Sequence, residues 1–113
     1  MGLANIMVCI ILWLNAFSIG WLALQALRRS DPVYFFGKKA VKPEELTDIK
    51  AYNRANGIMW AVYADGFFSA GIAALFNSVA ASIFAVIWCF SGGLVLVIAH
   101  KKIYNKYKQK DLL

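Results

Sequence analysis

The chain has 113 residues, 61% of them hydrophobic and 16% charged, with a net charge of +6. Soluble domains carry about 25% charged residues, so an ordinary water-soluble fold is disfavoured, and the apolar content excludes a disordered chain. Cys9 and Cys89 each sit inside an apolar run, which excludes a disulfide scaffold and reads as reduced packing residues.

Charge is distributed in blocks. Residues 1–27 carry no charged side chain, and residues 58–99 carry one, Asp65. A helix that crosses a bilayer core of about 30 Å needs roughly 20 apolar residues. The run 3–27 is long enough to cross with some tilt. It lacks a basic leader and an Ala-x-Ala cleavage pattern, so it reads as a retained helix rather than a signal peptide. The run 58–99 is about twice one crossing. Its only polar pair, Asn77-Ser78, divides it into spans 58–76 and 79–99 joined by a tight turn. A soluble bundle would need a polar face on each helix, and none of these runs has one. The expectation is all-α: one integral membrane domain over 1–113 with three transmembrane helices.

The segment 28–57 is the one sizeable hydrophilic piece. Asp31-Pro32 ends the first helix. Val33–Phe36 is short and apolar, suited to the headgroups or to packing under the bundle, and Gly37-Lys38-Lys39 reads as a turn. Pro43-Glu44-Glu45 has the composition of a helix start. Leu46, Ile49, Tyr52, Ala55 or Asn56, and Met59 then recur at helical spacing. This predicts a short amphipathic helix on the inner surface, entering the second span at Gly57.

Lys and Arg set the expected orientation. Seven lie in 28–57 and five in the tail 100–113, with none before residue 28 or at the Asn77-Ser78 turn. An odd number of spans puts loop and tail on one side, which the positive-inside rule makes cytoplasmic. The N-terminus and the hairpin turn are then outside. Trp60, Tyr63, Tyr104 and Tyr107 fall near the expected inner interface. Lys101, Lys102, Lys106 and Lys108, interleaved with tyrosines, suit anionic lipid headgroups. Topology accounts for these cations, so no nucleic-acid partner is expected.

Asp65 is the candidate for intramembrane chemistry. A central Asp costs roughly 2.5–3.5 kcal/mol on insertion scales, so it should face the bundle, water or a partner. Counting along the helices places Gly20 and Ser18 at similar depth, Asn15 deeper, and Phe90 and Ser91 opposite, so Asn15, Ser18, Ser69 and Ser91 are expected to form one polar cluster around it. Two roles stay open for it: a proton or cation site, or a hydrogen-bonded carboxyl that locks packing. Gly66, Ala70, Gly71, Ala73 and Ala74 in the second span and Gly92-Gly93 in the third are small residues of the kind that let spans approach closely. His100 reads as a polar interface residue. There is no phosphate loop, zinc spacing or nucleophile motif, so no catalytic residue, metal site, cofactor or enzyme activity is expected.

The run Phe36-Gly37-Lys38-Lys39, then Glu44-Glu45, then Tyr52-Asn53-Arg54-Ala55-Asn56-Gly57 resembles the SdpI family of small bacterial membrane proteins over about residues 35–75. Gly37, Asn53, Arg54 and Gly57 match its Gly-x-Arg turn and Asn-Arg-x-x-Gly motif in order, with Lys39 where Arg is usual and Ile49 where Trp is usual. The resemblance implies a three-span bacterial protein; the better-known members protect their host against a secreted toxin and relay its presence to a regulator. Physically, Gly37 would permit a tight turn, Asn53 and Arg54 would tie the loop to span ends or lipid phosphate, and Gly57 would permit a sharp entry. The expected function is binding in a bacterial inner membrane, as toxin immunity or sensing through the loop. The alternatives are a proton- or cation-linked transport or channel subunit using Asp65 in an oligomer, and a structural accessory subunit of a membrane complex. Expected partners are anionic lipids, a second copy, or another membrane protein.

Overall fold

The computed structural model describes residues 2–32 and 43–108. Three long helices run along a molecule of 58 × 24 × 19 Å: α1 (Leu3–Arg28), α2 (Ile49–Ala74) and α3 (Ser78–Tyr107). Each is long and apolar enough to cross a membrane, the pattern of a multi-pass membrane protein. Large apolar side chains such as Ile10, Leu14, Ile87, Phe90 and Leu94 point outward, as they must where the solvent is hydrocarbon rather than water. Helices suit that solvent because every interior backbone N–H and C=O is bonded within its own segment.

The helix starts follow from local chemistry. The Asp48 carboxylate accepts from the Ala51 N–H at 3.0 Å and caps α2. The Asn77 carbonyl oxygen accepts from the Ala80 N–H at 3.1 Å and caps α3. The expected turn at Asn77-Ser78 is therefore where α2 and α3 are joined, with only residues 75–77 between them.

The separate amphipathic helix is not present. Pro43–Glu45 forms a single 3-10 turn, and α2 then runs unbroken from Ile49 through Gly57 to Ala74. The reason lies in phase. The buried or half-buried positions Tyr52, Asn56, Tyr63, Phe67, Ala70 and Ala74 continue one stripe at three-, four- and seven-residue spacing across the expected junction. Gly57 is accordingly not a bend. A Cβ there would lie 2.8 Å from Leu27 Cδ2 and 3.1 Å from the Ala23 carbonyl oxygen, so glycine serves close approach of α1 to α2. The expected turn at Gly37, with Lys38 and Lys39, lies outside the described residues, as do Val33–Phe36 and the tail beyond Lys108.

Helix α2 is the centre of the fold, with α1 and α3 flanking it and scarcely touching each other. Each seam is built from an aromatic ring set over a glycine. Trp13 of α1 lies over Gly71, stacks on Phe68 at 5.3 Å between ring centres, and donates Nε1–H to the Phe68 carbonyl at 3.2 Å. Trp88 of α3 lies over Gly66 and donates to the Tyr63 carbonyl at 3.0 Å. Tyr63 of α2 in turn lies over Gly92 and donates its hydroxyl to the Cys89 carbonyl at 2.9 Å. Tyr63, expected near the inner interface, and Trp88 are thus the reciprocal knobs of one seam. Of the cysteines, Cys9 is buried in the core and Cys89 is exposed, both as free thiols.

A side chain at Gly66 would collide with the Trp88 indole, which Tyr63 and Phe84 hold on its faces. Gly66→Ala is expected to lower stability by about 1–3 kcal/mol, as overpacking does. Gly20→Ala, with nothing within 4 Å of the new carbon, should leave it unchanged or slightly raised. Thermal unfolding of both variants in one detergent checks the pair; equal midpoints would refute the glycine–indole seam.

Candidate functional site

Two polar constellations stand out, one near mid-helix on the outer surface and one buried at the end where α1 finishes, α2 begins and α3 finishes.

The outer constellation is the one expected around Asp65, and its members are not gathered into a cluster. Asp65, Asn15, Ser18, Ser69 and Ser91 are all exposed. The Asn15 amide donates to its own helix at the Ile11 carbonyl, 2.9 Å away. The hydroxyls of Ser18 and Ser91 likewise donate to the carbonyls of Leu14 and Ile87. Ser69 and Ser91 line two different grooves between α2 and α3. The register of α1 against α2 gives their relative levels. Trp13 is level with Phe68 and Leu27 with Gly57. Asn15 and Ser18 therefore bracket the level of Asp65, within about one helical turn at 1.5 Å per residue. Asp65 lies nine residues before the end of α2, about 13 Å from the hairpin at helical rise. With the hairpin at one face of a hydrocarbon layer of about 30 Å, the carboxyl sits near the midplane. What differs is azimuth: Asp65 and Ser69 share one exposed face of α2, one turn apart, whereas Asn15 and Ser18 are exposed on α1 and Ser91 on α3.

The buried constellation was not foreseen as a unit. Tyr52, Asn53 and Asn56 are 0%, 2% and 1% exposed, and His100 is 7% exposed. The Asn53 amide donates to two carbonyls of the chain leaving α1, Arg29 at 3.2 Å and Asp31 at 2.7 Å. It thereby gives a partner to the carbonyl of the α1 C-cap, Arg29, and to one in the chain just beyond it. The Asn56 amide donates to the Tyr52 carbonyl at 2.9 Å, which leaves Asn56 Oδ1 to accept. His100 Nδ1 lies 2.9 Å from that oxygen, so Nδ1 carries the proton and donates. The Tyr52 ring packs against the imidazole at 6.3 Å between centres. Beside this cluster, the Thr47 N–H and hydroxyl both donate to the Tyr107 carbonyl, at 2.7 and 3.0 Å. His100, expected at a hydrophilic interface, is instead a buried tie between α3 and α2.

Of the remaining sequence-derived candidates, Arg54 is exposed on α2 one residue from the buried Asn53. Lys101, Lys102 and Lys106 are exposed near the end of α3, and Lys108 is half-buried in a bridge to Leu46. Gly37 and Lys39 lie outside the described residues. Among the described residues, no three His, Cys, Asp or Glu side chains come together to hold a metal. The buried cluster offers hydrogen bonds that tie α2 to the end of α1 and to α3. Asn53, Arg54 and Gly57 of this end carry the sequence motif and Tyr52 lies in the expected apolar stripe; the Asn56–His100 bond spans 44 residues, which no local pattern reveals.

No family model matches the chain, and no curated protein or solved structure shows significant similarity to it.

His100→Leu is expected to destabilise by about 1–3 kcal/mol, because Asn56 Oδ1 is then buried without its donor. Asn56→Leu should cost a similar amount. The double substitution should cost clearly less than the two together, since neither partner is left unpaired. Unfolding free energies of the four chains in detergent give the cycle; strict additivity would refute the pairing.

Proposed function

We propose that this protein is a small bacterial inner-membrane protein that works by binding sideways within the bilayer and performs no chemistry of its own. The observation that carries this reading is Asp65. It stands near the midplane on the outward face of α2, among Ile58, Ala61, Ser69 and Ile72, all of them exposed. Charged groups at that depth cost roughly 2.5–3.5 kcal/mol and face a bundle interior or water almost without exception. In one copy Asp65 faces neither. A covering helix supplies the hydrogen bonds that lipid does not.

A transport or channel role draws less support. The two α2–α3 grooves are lined almost wholly by apolar side chains and do not include Asp65. Immunity or sensing through the cytoplasmic loop remains the most concrete form of binding. Its support is the resemblance to the SdpI family together with Asn53, which anchors the chain where it leaves α1 for the loop, while Arg54 is exposed beside it.

In this reading the basic end is cytoplasmic and the hairpin is external, because Arg28, Arg29, Lys50, Arg54 and the α3 lysines all lie at one end of the helices. Reporter fusions at Asn77 and after Lys108 are expected to report opposite sides of the membrane; the same side for both would refute the three-span threading. For the function itself, the full chain extracted in mild detergent should carry a stoichiometric companion, either another protein or a second copy. Asp65→Leu should release that companion while helix content by circular dichroism stays the same. A monomeric wild-type chain without companion would refute lateral binding.

A further inference from the structure

We infer that the Asp65 face of α2 docks on the Asn15–Ser18 face of α1 in a second copy of this chain. The inference rests on the lateral-binding reading and names its partner.

Three observations lead there. First, the two faces are at one level. Copies inserted the same way present Asp65 and the Asn15–Ser18 pair at matching depth, because α1 and α2 are fixed in register by Trp13 at Phe68 and Leu27 at Gly57. No tilt or vertical shift is required to bring them together. Second, the chemistry is complementary. Asn15 uses one N–H on its own Ile11 carbonyl, which leaves its second N–H and its Oδ1 for a neighbour. Ser18 gives its proton to Leu14 and keeps an oxygen able to accept. A carboxyl is a natural partner for a side-chain amide, through N–H···O and, in the acid form, O–H···O contacts. Third, the two faces lie on different helices of one chain. Ser18 shares its exposed face with Ile11, Leu14 and Trp21, and Asp65 shares its own with Ala61 and Ser69. One copy cannot pair them internally, since the buried sides of α1 and α2 are turned toward each other. Contact between different patches on successive copies is head-to-tail and closes into a ring when the rotation permits. Ala61, Asp65, Ser69 and Ala73 repeat every four residues and are all exposed, so a neighbouring helix can approach closely on either side of the carboxyl.

The test uses the full chain with Cys9→Ser and Cys89→Ser, reconstituted in liposomes and oxidised with copper phenanthroline. Leu14 lies one turn from Ser18 and Ser69 one turn from Asp65, at matching level. Chains carrying Ser69→Cys mixed with chains carrying Leu14→Cys are expected to give a disulfide-linked dimer. Either chain alone should give little. Adding Asp65→Leu should lower the yield about 3- to 30-fold, the effect of one intramembrane hydrogen bond, and Asp65→Asn should restore most of it. Rapid dimerisation of the Ser69→Cys chain alone would overturn the inference in favour of a two-fold α2 contact. No cross-link, with a different protein bound stoichiometrically in mild detergent, would overturn it while leaving lateral binding in place. No cross-link and no companion would remove both.

Discussion

Inside a bilayer no water is on hand for a polar group, so each buried donor or acceptor must find its partner within protein. The seams of this fold are built around that constraint. An indole or phenol contributes the largest packing surface available, but it brings an N–H or O–H into hydrocarbon. Trp13, Trp88 and Tyr63 resolve this by donating to backbone carbonyls of the helix they pack against. They reach those carbonyls only because Gly71, Gly66 and Gly92 have no side chain in the way. Glycine, ring and carbonyl therefore act together, and removing one disturbs the other two. The hydrophobic effect does not press these helices together, since lipid tails are as apolar as the side chains they would replace. Shape and hydrogen bonding do.

The two ends of the bundle obey the same constraint differently. At the hairpin, Asn77 caps α3 and the carbonyl of Leu75 accepts from the Asn5 amide of α1 at 3.3 Å. At the other end three long-range ties close the bundle: Asn53 to the end of α1, Asn56 to His100, and Thr47 to the end of α3. Every one involves α2 or the residues just before it. A buried polar cluster fits here, near headgroups and water, better than at the midplane. It also fixes where the chain departs α1 and where it rejoins the bundle, which defines the base of any loop between them.

Much of this architecture is legible in the sequence, and the boundary of what is legible has a physical cause. Span number and the turn at Asn77 follow from length and charge, which act through composition. The level of Asp65 relative to Asn15 and Ser18 follows from helical rise. Which way each points does not follow, because a span that is apolar all round carries no stripe to mark its inner face. Of the expected polar cluster, only Ser69 therefore shares a helix face with Asp65. The separate amphipathic helix was expected from a real local cue, Pro43-Glu44-Glu45. Asp48 caps the helix that forms, and its buried stripe runs on in phase through Gly57. His100 and Asn56 were out of reach for another reason: their bond joins residues that only the folded bundle brings together.

Asp65 and the buried cluster lie on opposite sides of α2. The face that carries Tyr52, Asn56, Phe67 and Ala70 is spent on α1 and α3, whereas the face that carries Asp65 contributes nothing to holding one copy together. A carboxyl there works against insertion, and no contact within the copy offsets that cost. Leucine at the same position would suit an isolated three-helix unit better. The sign of that comparison separates the two sites: a change at Asp65 touches no contact between the helices of one copy, and a change at Asn56 or His100 acts on whether the helices stay together. Because both sets of residues ride on one continuous helix, whatever acts on the Asp65 face bears on the same rod that ties together the ends of α1 and α3. That continuity, absent if α2 broke at Gly57, is what would let an event within the bilayer be felt at the loop.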